Sequence, residues 1–133
     1  MIKILVIDDE QGIRDLLDVL LRRKGYDVVV AENGQEGLKV FRRERPAVVV
    51  LDLKMPVMDG LAVLQELRTL DPEKPVIILT GAGTPEAEQQ VRALGVTEFV
   101  EKEFSLHRLG ESLKRLLNNS VPAETSKARP LPT

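Results

Sequence analysis

Ala47-Val48-Val49-Val50-Leu51-Asp52 decides the fold. An apolar run with no polar alternation reads as a strand buried on both faces, as in a parallel sheet covered by helices. Asp52 ends the run and opens a turn, Leu53-Lys54-Met55-Pro56-Val57-Met58-Asp59-Gly60. A carboxylate at the carboxyl end of such a strand faces the crevice where open α/β sheets hold ligands. A second apolar run, Ile2 to Ile7, ends in Asp8 and Asp9. Three carboxylates at two strand ends compose a site for a hard divalent cation, whose ligands are oxygens.

Outward from these two runs the chain alternates strand and helix. Further strands are expected at Val28–Val30, Val76–Leu79 and Glu98–Val100. Ile13, Leu16, Leu17, Leu20 and Leu21 follow helical spacing, and Gly25 stops that helix. Leu38 and Phe41 mark a second helix that ends before Pro46, and Leu61, Leu64, Leu67 and Leu70 mark a third. Thr84 is the expected N-cap of a fourth, with Pro85 in its first turn, Ala87, Val91 and Leu94 inward, and Gly95 after its end. Ser105 caps a fifth, carried by Leu106, Leu109, Leu113, Leu116 and Leu117. Strict alternation implies an α/β fold: a parallel sheet, right-handed crossovers and helices on both faces.

Composition narrows the function. The chain has 133 residues, enough for one domain with a real core, and it is 43% hydrophobic and 30% charged. It has no cysteine, which removes disulfides, thiolate chemistry and zinc–thiolate sites. Net charge is −2 and aromatics are 3%, so neither a basic field nor stacking residues point to nucleic acid. Arg22-Arg23-Lys24 and Arg42-Arg43-Glu44-Arg45 fall at helix ends and read as solvated partners of the helix dipoles rather than docking patches. No leader precedes Ile2 and no apolar run approaches ~20 residues, so no membrane contact is expected and the expected location is cytoplasmic. Residues 1–119 form the expected domain. Residues 120–133, with Pro122, Pro130 and Pro132, read as a flexible tail or linker stub.

Two further strand ends carry polar groups. Val76 to Leu79 runs into Thr80-Gly81, and Phe99-Val100 runs into Glu101-Lys102. The crevice therefore collects Asp8, Asp9, Asp52, Thr80 and Lys102. A carboxylate can attack phosphorus and form an acyl phosphate. A cation, an ammonium and a hydroxyl would neutralise or bind the phosphoryl oxygens.

These residues carry a resemblance. Ile7-Asp8-Asp9-Glu10, the Asp52 to Gly60 turn, Thr80-Gly81 and Lys102 match, in order and spacing, the receiver domain of two-component response regulators over about residues 2 to 118. The resemblance implies a flavodoxin-like (βα)5 sandwich with strand order 2-1-3-4-5. It implies Asp52 as phosphoacceptor, served by a histidine kinase or histidine phosphotransfer protein. It implies Mg2+ held by Asp52, by Asp9 directly, by Asp8 through water and by the backbone carbonyl at Lys54. Thr80 and Phe99 take the switch positions, and Lys102 the position of the ammonium that pairs with the acceptor. Lys54 and Ala82 take positions that tune the lifetime of the phosphorylated state. The output would be the face formed by the fourth helix and fifth strand, acting on a downstream protein or tethered output domain. The protein would be a monomer or a phosphorylation-dependent dimer, a phosphoacceptor switch promoting its own phosphorylation and slow dephosphorylation rather than an enzyme.

One departure stands out. Glu103 follows Lys102 where the family usually has proline after a cis bond, and a cis bond without proline costs ~2.5–4 kcal/mol. The loop presenting Lys102 is therefore expected to be trans or differently shaped. Competing enzyme classes lack their parts. Gly81-Ala82-Gly83 has Glu86 where a dinucleotide fingerprint needs its third glycine, and no phosphate-binding P-loop is present. An aspartate-nucleophile phosphatase of the haloacid type would want an acid at Lys54. A flavin module would want more aromatics than one Tyr and no Trp. The alternative of a different class is a receiver-like interaction module not regulated by phosphorylation. His107, the only histidine, reads as a surface residue of the last helix.

Overall fold

The computed structural model describes residues 2–53, 55, 58–80, 85–95, 98–101, 110–111 and 113–115. Its elements are β1 (Lys3–Ile7), α1 (Gln11–Arg23), β2 (Asp27–Ala31), α2 (Gly34–Glu44), β3 (Val48–Leu51), α3 (Gly60–Leu70), β4 (Val76–Thr80), α4 (Pro85–Ala93) and β5 (Glu98–Glu101). All neighbouring strands are parallel, in the order β2-β1-β3-β4-β5. This is the expected flavodoxin-like order, with each expected strand found within two residues of its ends. The expected fifth helix lies mostly outside the described residues, as do Thr84, Ser105 and His107, and as does the expected tail.

The unbroken apolar runs fill two cores at once. Ile4, Leu5, Val6 and Ile7 have no exposed surface, and neither do Val48, Val49 and Leu51. Strand side chains alternate, so Leu5, Ile7, Val49, Leu51 and Ile78 pack with α2 and α3 on one face. Ile4, Val6, Val48, Val50, Ile77 and Leu79 pack with Leu17 and Leu21 of α1, and with Leu113, on the other. Burying each such side chain fully contributes roughly 1.5–3 kcal/mol. β3 takes the centre, and β1 lies beside it, bonded to β2 on one edge and to β3 on the other.

The helix ends follow local chemistry. Asn33 accepts from the Glu36 N–H at 2.8 Å and caps α2. Asp59 caps α3, accepting from the Ala62 N–H at 3.0 Å. Gly25, at φ 96°, turns the chain after α1 as expected. α1 departs in one respect from its sequence pattern. Leu17 and Leu21 are buried, but Leu16 is 41% exposed. The buried stripe runs at four-residue spacing through Ile13, Leu17 and Leu21, and a leucine one position off its centre stands at the margin.

Candidate functional site

The ladder itself holds the two acidic strand ends. The Asp8 N–H donates to the Ala31 carbonyl at 3.1 Å, and the Asp52 N–H donates to the Ile7 carbonyl at 3.0 Å. Each acid is thereby fixed one residue beyond a central strand. Asp8 is 1% exposed and Asp52 3%, and among the described residues they are the only buried charged side chains. Charged groups are withdrawn from water only where something compensates them.

A third carboxylate joins them. Oxygens of Asp8, Glu10 and Asp52 lie within 4.8 Å of one another. The Glu10 N–H donates to Asp8 Oδ1 at 2.9 Å, and Arg14 Nη1 donates to the Asp8 carbonyl at 2.8 Å. These bonds set the path of the chain as it leaves β1. Neither Asp8 nor Asp9 is the N-cap of α1; that position is Glu10, whose side chain makes no cap hydrogen bond. Two unit negative charges at that separation repel by on the order of 3 kcal/mol at an effective dielectric of about 20. A cation between them reverses the sign. The donor set is all oxygen, with no nitrogen or sulfur, which suits Mg2+ or Ca2+ and not a soft metal.

The loop after Asp52 is anchored from below. Leu53 and Met55 are buried, which fixes the backbone on either side of position 54. The Gly60 N–H donates to the Leu53 carbonyl at 2.8 Å. A Cβ at Gly60 would stand 2.5 Å from Leu53 Cα and closer still to the Asp52 carbonyl oxygen. Only glycine lets the start of α3 approach the end of β3 this closely.

The remaining expected residues divide clearly. Thr80 closes β4, two residues beyond the Leu51–Ile78 pairing, so its backbone leaves the sheet at the edge where Asp52 does. Phe99 is in β5, paired with Ile78, and Glu101 ends that strand at the same edge. Lys54, Ala82 and Lys102 lie outside the described residues. Asp9 is exposed and is not one of the three gathered carboxylates. Glu10, which sequence reasoning did not single out, is. The available signal was period two: residues 8 and 10 of an extended segment point to one side, and Glu10 has extended φ −89°, ψ 114°.

Comparison with known proteins agrees with this geometry. Residues 4–114 match the family described as the response regulator receiver domain. Sporulation initiation phosphotransferase F of Bacillus subtilis is 36% identical over 86% of this chain and 93% of its own. A probable transcriptional regulator, ycf27, of Pyropia yezoensis is 41% identical over 96% of this chain but 52% of its own, so the chain spans about half that relative's length. The crystal structure of response regulator TrrA from Thermotoga maritima, in complex with Mg2+-BeF, superposes with TM-score 0.80 at 38% identity, covering 87% of this chain and 99% of that one. No helix among the described residues is long and apolar enough to cross a membrane. A buried acidic pair at the ends of two central parallel strands, and a family match over nearly the whole alternation, lead to one conclusion: this chain belongs to the response regulator receiver family of two-component signalling.

Proposed function

We propose that Asp52 accepts a phosphoryl group from the phosphohistidine of a histidine kinase or histidine phosphotransfer protein. The observation that carries this reading is the burial of Asp52 beside Asp8, on adjacent central strands, in an all-oxygen donor group. An Asp52 carboxylate oxygen attacks phosphorus as the bond to the donor's imidazole nitrogen breaks. The bonding electron pair leaves with the imidazole, and an acyl phosphate remains. Asp8 and Asp52 hold their carboxylates in fixed positions, so little reorganisation accompanies the transfer. The gathered carboxylate oxygens of Asp8, Glu10 and Asp52 suit Mg2+, and the holders the family resemblance implies for it are Asp8, Asp9, Asp52 and the Lys54 carbonyl. When bound it supplies neutralising charge for the phosphoryl oxygens. Lys102 is the ammonium that completes this neutralisation.

Phosphorylation acts as a population shift. Thr80, at the end of β4, engages the phosphoryl group, and Phe99 on β5 follows, which biases the face formed by α4 and β5. That face controls a downstream protein or a tethered output domain beyond the linker at 120–133. The receiver, residues 1–119, works in the cytoplasm without binding nucleic acid or membrane itself, as a monomer or a phosphorylation-dependent dimer. It resets by its own slow hydrolysis.

Acetyl phosphate with Mg2+ tests the reading. One phosphoryl group should appear by intact mass, and Asp52→Asn or EDTA should abolish it. Equal labelling of Asp52→Asn would overturn the assignment. A parent chain that never labels would instead be an interaction module independent of phosphorylation.

A further inference from the structure

α4 is held mainly at one end. Its one fully buried side chain among the described residues is Val91, in its last turn. Leu94, just past the helix, packs against the same core, and so does Ala87 nearer the start. Pro85 and Glu86, at the amino end, are exposed.

A half-buried arginine of α3 adds a polar anchor to the same end. Arg68 donates Nε–H to the Leu94 carbonyl at 2.8 Å and Nη2–H to the Gly95 carbonyl at 2.9 Å. Its Nη1 donates to the carbonyls of Lys74 at 2.8 Å and Asp71 at 3.2 Å. Lys74 precedes β4, whose other end, Thr80, leaves the sheet at the Asp52 edge. The anchor is therefore at the edge of the sheet away from the acceptor. The amino end of α4 is the end that Thr80 leads into, through residues 81–84.

We infer that Arg68 is the pivot of α4: it positions the carboxyl end of that helix, so that phosphorylation of Asp52 turns the helix about this end and displaces its amino end. This rests on the phosphoacceptor and α4–β5 readings above and deepens them. The argument is geometric. Sliding α4 along its axis breaks the bonds to Leu94 and Gly95 together, and acceptors left without a donor are costly. Rotation about the guanidinium leaves those bonds near their present lengths. Of the rigid-body motions open to the helix, rotation is the one Arg68 permits. α4 has 9 residues. At ~1.5 Å per residue it is a lever of about 13 Å, and a turn of about 10° about one end carries the other by about 2 Å.

Amide hydrogen exchange, read residue by residue by NMR on the full chain, tests this. Spectra are compared in Mg2+ alone and in Mg2+ with excess acetyl phosphate. Leu94 and Gly95 report the pinned end, since their N–H groups bond to the carbonyls of Val91 and Arg92. Gln89 and Gln90 report the other half. In the parent, phosphorylation should change exchange at Gln89 and Gln90 by about threefold or more, and at Leu94 and Gly95 by less than about twofold. In Arg68→Ala, exchange at Leu94 and Gly95 should rise about tenfold or more before any phosphorylation, and phosphorylation should then alter both halves. Val28→Ala, a cavity on the opposite face of the sheet, controls for lost stability and should raise exchange without singling out Leu94 and Gly95. Arg68→Lys reaches fewer carbonyls and should fall between parent and Arg68→Ala; it carries the test alone if Arg68→Ala does not fold. A phosphorylated parent in which both halves respond equally, or neither responds, overturns the inference. Arg68 variants whose Leu94 and Gly95 exchange no faster than in Val28→Ala also overturn it. A parent that takes up no phosphoryl group by intact mass sinks the acceptor reading instead, and the Mg2+-only comparison of Arg68→Ala with Val28→Ala still decides whether Arg68 anchors this end.

Discussion

Arg68 of α3 donates its Nε–H to the carbonyl of Leu94, the residue after α4, at 2.8 Å. The same guanidinium reaches the carbonyls of Gly95 at 2.9 Å, Lys74 at 2.8 Å and Asp71 at 3.2 Å. One side chain thus closes the carboxyl ends of two helices and the loop entering β4. Burial holds its pKa below the ordinary arginine value, with Asp71 opposing that shift, and a group so basic remains charged.

Arg68→Ala leaves these carbonyls without their donor and should cost about 2–3 kcal/mol in urea unfolding. Arg68→Lys should recover less than half, because an ammonium lacks the planar fork that spans several carbonyls. A loss under about 0.5 kcal/mol in Arg68→Ala would mean that water replaces the guanidinium.

Gly60→Ala forces a methyl group against Leu53 Cα and the Asp52 carbonyl, both backbone. Backbone cannot rotate aside, so the expected cost is about 1–3 kcal/mol. The displaced strand end should also slow labelling by acetyl phosphate, at Mg2+ concentrations that saturate the parent. Normal labelling with normal stability would show that the loop yields freely.

The pH dependence of stability has a named contributor. Lys3 Nζ donates to Glu44 Oε1 at 2.7 Å, which holds the Glu44 carboxyl below the usual range, with help from Arg43. The same bond holds the Lys3 ammonium above its usual value. Glu44's contribution is present above its unfolded pKa, ~4.3, and is lost as pH falls through the lower folded value. Lys3's contribution is full below its unfolded pKa, ~10.4, and fades as pH rises through the higher folded value. The stability difference between parent and Glu44→Gln should therefore be constant from about pH 6 to 9 and shrink toward pH 3. A difference that grows with acid would contradict this.

Asp9 is exposed and adds no buried charge. Asp9→Ala should leave thermal stability unchanged or slightly raised while weakening Mg2+ binding by about tenfold or more. An unaltered Mg2+ dissociation constant would remove Asp9 from the ligand set.

On the proposed phosphoacceptor reading, Lys54 and Ala82 would set how long the acyl phosphate lasts. A methyl at position 82 cannot orient water, and on that reading the long cation at 54 would obstruct the in-line approach. Lys54→Asn with Ala82→Glu supplies groups that hold water. The phosphate half-life should shorten ~10-fold or more, equivalent to ~1.4 kcal/mol of barrier. Radiolabel decay after removal of donor measures it, and decay no faster than the parent's would end this account.

The strands were legible in the sequence because burial on both faces leaves no alternation to misread, as at Val48 to Leu51. The helices were legible where a cap or glycine ends them, as at Gly25 and Gly95. What the pattern could not settle was which of two adjacent leucines faces inward. Leu16 and Leu17 both fit helical spacing, and packing chose Leu17. At the site, Asp8 and Asp52 could be read from their strand ends. Glu10 could be ranked above Asp9 only by carrying the strand's period of two past Ile7, and whether a chain stays extended there depends on local hydrogen bonds, here the one from the Glu10 N–H to Asp8 Oδ1. Arg68 left no trace at all in the sequence pattern, since its four acceptors are backbone carbonyls, two of them in the chain 26 and 27 residues later.

Of the five strands β1 comes first in this sequence, and it ends between two others, β2 and β3. On the ribosome it emerges with both edges bare, and β2 can cover only one. Asp52 follows Asp8 by 44 positions (52 minus 8), which at ~5–20 residues per second is a delay of about two to nine seconds. Through that interval the nascent chain displays an apolar ribbon with an open edge, the kind of surface that recruits chaperones or pairs with another chain. Asp8 waits with it, so a polypeptide released before β3 lacks both the strand that covers β1's second edge and the buried carboxylate that joins Asp8 in the acidic group.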